Sequence, residues 1–184
     1  VKIGIIICAR IDSKRLPKKN ILELCGKPLI RWSIDFGNLL GYQVNVLTRD
    51  PAIMNNCSGA YIIFEPIELY DIEGNIMDKL RYVNSITDCD YLVDLQATSP
   101  IRDIDQYEYW INHVVEYEIQ SAASKYKDRL NGGFFMVSRE YIETKNKITD
   151  KNTLYFQDSY GFDIDTAEDF AEVERWMSEN KYYT

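Results

Sequence analysis

Residues 9–20 read ARIDSKRLPKKN and carry five cations, Arg10, Lys14, Arg15, Lys18 and Lys19, against one acid, Asp12. The stretch is therefore +4 in a chain whose formal net charge is −8. A polyphosphate would explain such an inversion. Arg forks bind phosphate oxygens bidentately, Lys adds a mobile point charge, and the N–H groups of a polar turn add fixed dipoles. A solvated basic turn accounts for the charge without any ligand. The stretch contains neither G-x-x-x-x-G-K-[ST] nor G-x-G-x-x-G, which removes P-loop kinase and dinucleotide-dependent dehydrogenase readings. Far along the chain, Phe162-Asp163-Ile164-Asp165-Thr166 sets two acids two residues apart. In extended backbone such residues share a side, so Asp163 and Asp165 can present two carboxylates together. Oxygen ligands without histidine suit Mg²⁺, whose shell is completed by water and substrate phosphates. Simple decoration of a helix N-terminus would account for Asp165 and Asp169, but not for Asp163.

Further polar groups sit in Leu95-Gln96-Ala97-Thr98-Ser99-Pro100-Ile101-Arg102. Gln96, Thr98 and Ser99 can hydrogen-bond sugar hydroxyls from a strand end, although a turn with a helix cap explains Ser99-Pro100 equally well. In Arg129-Leu130-Asn131-Gly132-Gly133-Phe134-Phe135 the glycines let backbone approach a ligand, and Asn-Gly-Gly also reads as an ordinary turn before a strand. His113 is the only histidine and lies in the helically spaced INHVVEY, so it reads as a solvated helix residue and histidine-based triads drop out. Cys8, Cys25, Cys57 and Cys89 form no C-x-x-C pair, which leaves reduced thiols rather than a zinc site.

The elements that must position these groups follow from periodicity. Apolar, β-branched runs predict strands near 2–8, 43–48, 60–64, 90–95, 119–123 and 133–137. Helical spacing predicts helices over 28–40, 74–86, 103–117, 138–144 and 166–179, the last capped by Thr166 with Asp169 three later. This alternation predicts a single-domain (1–184), doubly wound α/β fold with a mostly parallel, Rossmann-like sheet, its basic loop at the carboxyl end of the first strand where ligands bind. The nearest thing to a flexible polar stretch is KNKITDKN at 145–152. Apolar residues at 46% and charged residues at 27% describe a globular chain, and the acidic balance disfavours nucleic acid or an acidic membrane as partner. With no apolar run near 18 residues and no signal-peptide pattern, the expectation is a soluble, cytoplasmic protein.

Taken with Gly26-Lys27-Pro28-Leu29-Ile30, the pattern A-R-x-x-S-K-x-x-P-x-K-N resembles the signature of sugar nucleotidyltransferases that make CMP-activated acidic sugars, the CMP-acylneuraminate (sialic acid) synthetase group. The resemblance implies the nucleotide-diphospho-sugar transferase type of fold and a loop wrapped around the triphosphate of CTP. Nucleotide contacts would then fall on Ala9, Arg10, Ser13, Lys19 and Asn20, with Arg10 and Lys19 catalytic and Lys19 the essential cation. LQATSPIR is similar to the family's L-Q-P-T-S-P-L-R, which lines the nucleotide-sugar cleft and implicates Gln96, Thr98 and Ser99. RLNGGFF resembles R-P-N-G-x-x-Y, which brings Arg129 and Asn131 to the acidic sugar. FDIDTAEDF resembles I-D-I-D-T-x-x-D-F/L, whose first two acids, here Asp163 and Asp165, reach magnesium.

The departures are specific. Arg15 stands where a small residue is common, and Asp12 puts an acid beside the phosphates. Glu65 replaces the Arg of R-P-x-E-L. KYKD, between Ser124 and Arg129, replaces a long segment that helps bind the sugar and forms much of the dimer interface, so a homodimer is not assumed. Gly74-Asn75-Ile76-Met77-Asp78-Lys79-Leu80 leans towards spore-coat polysaccharide cytidylyltransferase-like proteins, with Asn75 or Asp78 facing base or sugar. The expected activity is transfer of CMP from CTP to the anomeric hydroxyl of an acylneuraminate-like sugar, with Mg²⁺ and release of pyrophosphate. The alternatives are a spore-coat-type nucleotidyltransferase using another sugar, or a nucleotide-binding protein without transfer activity.

Overall fold

The computed structural model describes residues 1–70 and 75–182. In chain order the strands are β1 (Ile3–Cys8), β2 (Glu23–Leu24), β3 (Lys27–Pro28), β4 (Gln43–Thr48), β5 (Tyr61–Phe64), β6 (Tyr91–Asp94), β7 (Ser121–Tyr126), β8 (Arg129–Ser138) and β9 (Leu154–Gln157). The helices are α1 (Leu29–Leu39), α2 (Pro51–Met54), α3 (Ile67–Tyr70), α4 (Ile76–Ile86), α5 (Ile104–Glu116), α6 (Arg139–Thr144) and α7 (Ala167–Glu179), and a single 3₁₀ turn spans Lys19–Ile21.

Seven strands form one sheet in the order β5-β4-β1-β6-β8-β7-β9, while β2 and β3 pair as a separate small hairpin. Pairing is parallel between β4 and β5, β1 and β4, β1 and β6, and β7 and β9. Only β8 runs against its neighbours β6 and β7. The mostly parallel α/β expectation therefore holds. Alternation along β1 sends Ile5 and Ile7 into a core under α1 and α5, and Ile6 into a second core under α4 and α6. A third core joins Leu24, Leu29 and Trp32 to Val173 and Met177 of α7 and takes in Ile164. That small core docks the late acidic segment beside the first loop.

Three expectations are corrected. Asn131, Gly132 and Gly133 are not a turn but lie inside β8, and the chain reverses at the tip of the β7–β8 hairpin, where Lys127 takes a left-handed φ of 55°. Both strands consequently run beyond their apolar stretches, because pairing of Lys125 with Leu130 and of Tyr126 with Arg129 extends the ladder to the hairpin tip. Leu154–Gln157, which no strand prediction covered, adds to β7 as an edge. At four residues it is too short for its alternation to declare itself against polar flanks. The helix expected over 74–86 starts at Ile76, and Gly74 lies outside the described residues.

Candidate active site

The basic loop is held by its apolar residues. Leu16 packs against the third core, Ile11 and Ile21 against the first, and the Ile11 N–H donates to Asp50 Oδ2 at 2.9 Å. Lys18 caps the 3₁₀ turn in the left-handed region, with φ of 56°, and this turns Lys19 and Asn20 inward, where both are buried. The Asn20 amide donates to the Arg10 carbonyl at 2.8 Å and closes the loop on itself.

Across from the loop, Ile164 is fully buried, so the residues flanking it must point the other way. Both of its backbone polar groups are used. Its N–H donates to the Thr98 carbonyl at 2.8 Å, and its carbonyl accepts from Lys19 Nζ at 2.6 Å. Lys19 Nζ also lies 3.0 Å from Asp165 Oδ1, and the Arg15 guanidinium lies 2.8 Å from Asp165 Oδ2. The basic loop, LQATSPIR and the aspartate pair thus meet at one point. Asp163 faces solvent beside Thr98. Partial burial raises its carboxyl above the ordinary range, against the hydrogen bond with Thr98, and the Asp165 charge adds to the rise. Asp169 closes the capping box of α7 with Thr166, and its Oδ2 also accepts from the Asp165 N–H at 3.0 Å.

Two cavities are lined by residues next to this junction, one by Asn20 of the loop and one by Asp163. Arg10, Ser13, Lys14, Asn20, Cys8 and Lys79 line one of about 320 Å³. Lys127, Arg129, Asn131, Gly161 and Asp163 line one of about 660 Å³ at the hairpin tip. Ala9 is buried, with its N–H on the Leu47 carbonyl at 3.1 Å. Arg10 is occupied in this state: Asp12 accepts from its Nε at 3.0 Å and from its terminal nitrogen at 2.7 Å, and Tyr70 covers it at 4.4 Å. The hydrogen bond to Arg10, with the guanidinium charge behind it, holds the Asp12 carboxyl below the usual range.

The remaining residues divide between cleft and framework. Arg129 is exposed at the hairpin tip, free to meet a ligand. Asn131, by contrast, is buried and donates to Asp158 Oδ2 at 2.7 Å and to the Tyr160 carbonyl at 3.1 Å, while Ser124 donates to its Oδ1 at 2.6 Å. It ties β8 to the segment that carries Asp163. A Cβ at Gly132 would run into the Gln96 side chain, so the glycine serves close packing rather than a turn. Ser99 is buried. Asn75 is spent on helix structure, its Oδ1 accepting from the Met77 N–H at 3.2 Å and its amide donating to the Asn146 carbonyl at 2.8 Å.

Sequence reasoning missed Arg102 as a support. It is buried and donates to the Gln96 carbonyl at 2.6 Å and to Ser33 Oγ at 3.0 Å, bracing the motif from behind. It also missed the buried acids beneath the cleft. Burial pushes Asp94 up to about 7, against the pull of Arg102 and Lys79. Burial likewise pushes the Cys8 thiol up, with Asp94 adding to it. Only the spacing of strand ends could have signalled this cluster.

The pattern of the Cytidylyltransferase family matches residues 4–164. The chain belongs to the cytidylyltransferase family. It is 26% identical over 212 aligned residues to the N-acylneuraminate cytidylyltransferase of Streptococcus agalactiae serotype III (strain NEM316), an alignment that takes in 91% of this chain and 51% of that protein. It is 30% identical over 106 residues to the 3-deoxy-manno-octulosonate cytidylyltransferase of Psychrobacter cryohalolentis, covering 55% of this chain and 39% of that protein. The chain thus spans about half the length of the N-acylneuraminate relative it matches. A solved CMP:2-keto-3-deoxy-manno-octonic acid synthetase complexed with CTP superposes with a TM-score of 0.81 at 17% identity, over 98% of this chain and 100% of that one, and so shares the fold. Among the described residues no helix is long and apolar enough to cross a membrane.

The geometry of this site makes two outcomes testable. Asp12 competes with any anion for the Arg10 fork, so Asp12→Asn should tighten inorganic tripolyphosphate binding about three- to tenfold in calorimetric titration. Equal or weaker binding would show that Asp12 is no competitor. Asp94 has a folded-state value above that of the unfolded chain, so the folded protein holds the extra proton between about pH 4 and 7. Stability should fall as pH rises through that window and then level off, by on the order of 4 kcal/mol at most. Urea midpoints at pH 5 and 7.5 should differ less for Asp94→Asn than for the parent, and an identical difference would refute the assignment.

Proposed function

We propose that the chain is a single cytidylyltransferase-like domain, spanning residues 1–184, that transfers CMP from CTP to the anomeric hydroxyl of an acidic sugar. The observation that carries this reading is the contact of Lys19 with both the Ile164 carbonyl and Asp165, which joins the basic loop to the aspartate pair. Family membership sets the nucleotide class, and the two kinds of curated relative act on acylneuraminate and on 3-deoxy-manno-octulosonate, both acidic sugars.

In this reading the cavity bounded by Arg10, Ser13 and Asn20 holds the triphosphate, and Lys19 sits beside the leaving group. The hairpin-tip cavity takes the sugar, with Arg129 as the partner of its carboxylate and Asn131 and Asp163 in its lining. The sugar hydroxyl forms a bond to the α-phosphorus as the bridge to the β-phosphate breaks, pyrophosphate leaves and the hydroxyl proton passes to solvent. Asp163 and Asp165 would hold a divalent cation. Two carboxylates without histidine suit an ion whose shell is completed by substrate phosphates and water, as that of Mg²⁺ is. Such an ion, when bound, neutralises phosphate charge and fixes the angle of attack. The protein's own work is alignment, plus positive charge placed where negative charge builds up.

Pyrophosphate release from CTP should be measured with Mg²⁺ and sialic, legionaminic, pseudaminic or 3-deoxy-octulosonic acid. Lys19→Ala should lose about a hundredfold in rate while its circular dichroism is unchanged. An undiminished rate would reject Lys19. CTP binding without pyrophosphate from any of these sugars would favour a binding protein over a transferase.

A further inference from the structure

We propose that Asp158 is a positioning residue for the sugar half of the reaction: as a buried acceptor it fixes the spacing between the two walls of the hairpin-tip cavity, one carried by β8 and the other by the segment that leads to Asp163. The inference rests on the sugar-transfer reading above and adds to it a residue that does not itself line the cavity.

The cavity is lined by Arg129, Leu130 and Asn131 of β8 and by Gly161 and Asp163 of the late segment. Asp158, only 3% exposed, bonds to both. Its N–H donates to the Lys125 carbonyl at 2.7 Å, which carries the β7–β9 pairing one residue past Gln157. The carboxylate then reaches each wall with a different oxygen. Oδ2 accepts from the Asn131 amide at 2.7 Å, and Oδ1 accepts from the Tyr160 N–H at 3.1 Å. The second hydrogen of the Asn131 amide goes to the Tyr160 carbonyl at 3.1 Å. Asn131 therefore has no amide hydrogen left for a ligand, and the sugar carboxylate falls to Arg129.

The donors in this relay all point one way. The Phe134 N–H donates to Ser124 Oγ at 3.1 Å, and the Ser124 hydroxyl donates its own hydrogen to Asn131 Oδ1 at 2.6 Å. That turns the Asn131 nitrogen towards Asp158, so both groups meeting the Asp158 carboxylate are donors and only a pure acceptor satisfies them. An amide at 158 would set an NH₂ against either the Asn131 NH₂ or the Tyr160 N–H, leaving a buried donor unpaired. Flipping Asn131 gives no relief, because its oxygen would then face the Tyr160 carbonyl. Gly133 makes room for the arrangement, since a Cβ there would lie 2.9 Å from Asp158 Oδ2. The phosphate side is tied separately. Lys19 holds the Ile164 carbonyl and the Thr98 carbonyl holds the Ile164 N–H, so a disturbance at Asp158 stops short of Asp165 and the basic loop.

The test is steady-state pyrophosphate release by the whole chain with CTP, Mg²⁺ and, in turn, sialic and 3-deoxy-octulosonic acid, alongside calorimetric titration with CTP. Asp158→Asn keeps the shape of the side chain and turns one acceptor into a donor. It should raise KM for the sugar that the parent uses by about tenfold or more and leave Kd for CTP within about twofold. Ser124→Ala releases the far end of the relay. It should show the same split with a smaller rise in sugar KM, about threefold, and it carries the test if Asp158→Asn does not fold. A merely structural Asp158 would lower the melting temperature while the sugar KM stays put, or would weaken sugar and CTP together, and either result overturns the proposal while leaving the transfer reading standing. A parent that binds CTP but releases no pyrophosphate with either sugar removes the transfer reading, and this inference with it.

Discussion

Everything in the site depends on how Ile164 is held. Its side chain is sealed into the small core beneath α7, and both of its backbone polar groups are committed, one to Thr98 and one to Lys19. A residue fixed at three points leaves its neighbours no choice of direction, so Asp163 and Asp165 must face the cleft. The same bond turns Lys19 inward from a loop that would otherwise be free to carry its charge into water. Most of the stabilisation at this junction comes from burying Ile164, Leu24 and Trp32. The Lys19–Asp165 pair, partly buried, gives direction more than stability.

The charge inversion of the loop is balanced internally. Arg10 rests on Asp12, while Arg15 and Lys19 share Asp165. Unopposed, five cations within ten residues would repel one another, and the acids let the loop fold tightly. Each of these contacts also occupies a group that an anion would want, so an anion bound there would have to exchange partners rather than fill an open cradle. Asp12, out of place when set against the pattern of similar proteins, thereby acquires a physical role.

Much of this was legible in the sequence. The parallel strands read clearly because their apolar runs are long and unbroken, and the Thr166–Asp169 capping box follows from spacing alone. The loop and the aspartate pair were legible as chemistry, and two ion pairs on Asp165, from Arg15 and Lys19, bring them together. The hairpin was misread because Asn131-Gly132-Gly133 carries the composition of a turn, while Gly132 answers to Gln96 and Gly133 to Tyr107 and Asp158, all far away in the chain. Asn131 and Asn75 were read as ligand contacts on family resemblance; Asn131 braces β8 while lining the hairpin-tip cavity, and Asn75 caps α4. Glu65, Lys79 and Asp94 were illegible as a cluster because they are joined only by the convergence of strand ends, which no local pattern reports.

The central claim is that the loop and the aspartate pair grip one nucleotide and its ion together. The most direct measurement is a crystal structure of the chain soaked with CTP and Mn²⁺, read by anomalous scattering. The account predicts a single manganese peak within bonding distance of Asp163 and Asp165, with triphosphate oxygens against Lys19 and Arg10. A nucleotide bound elsewhere, or a metal bound apart from these two carboxylates, would contradict it.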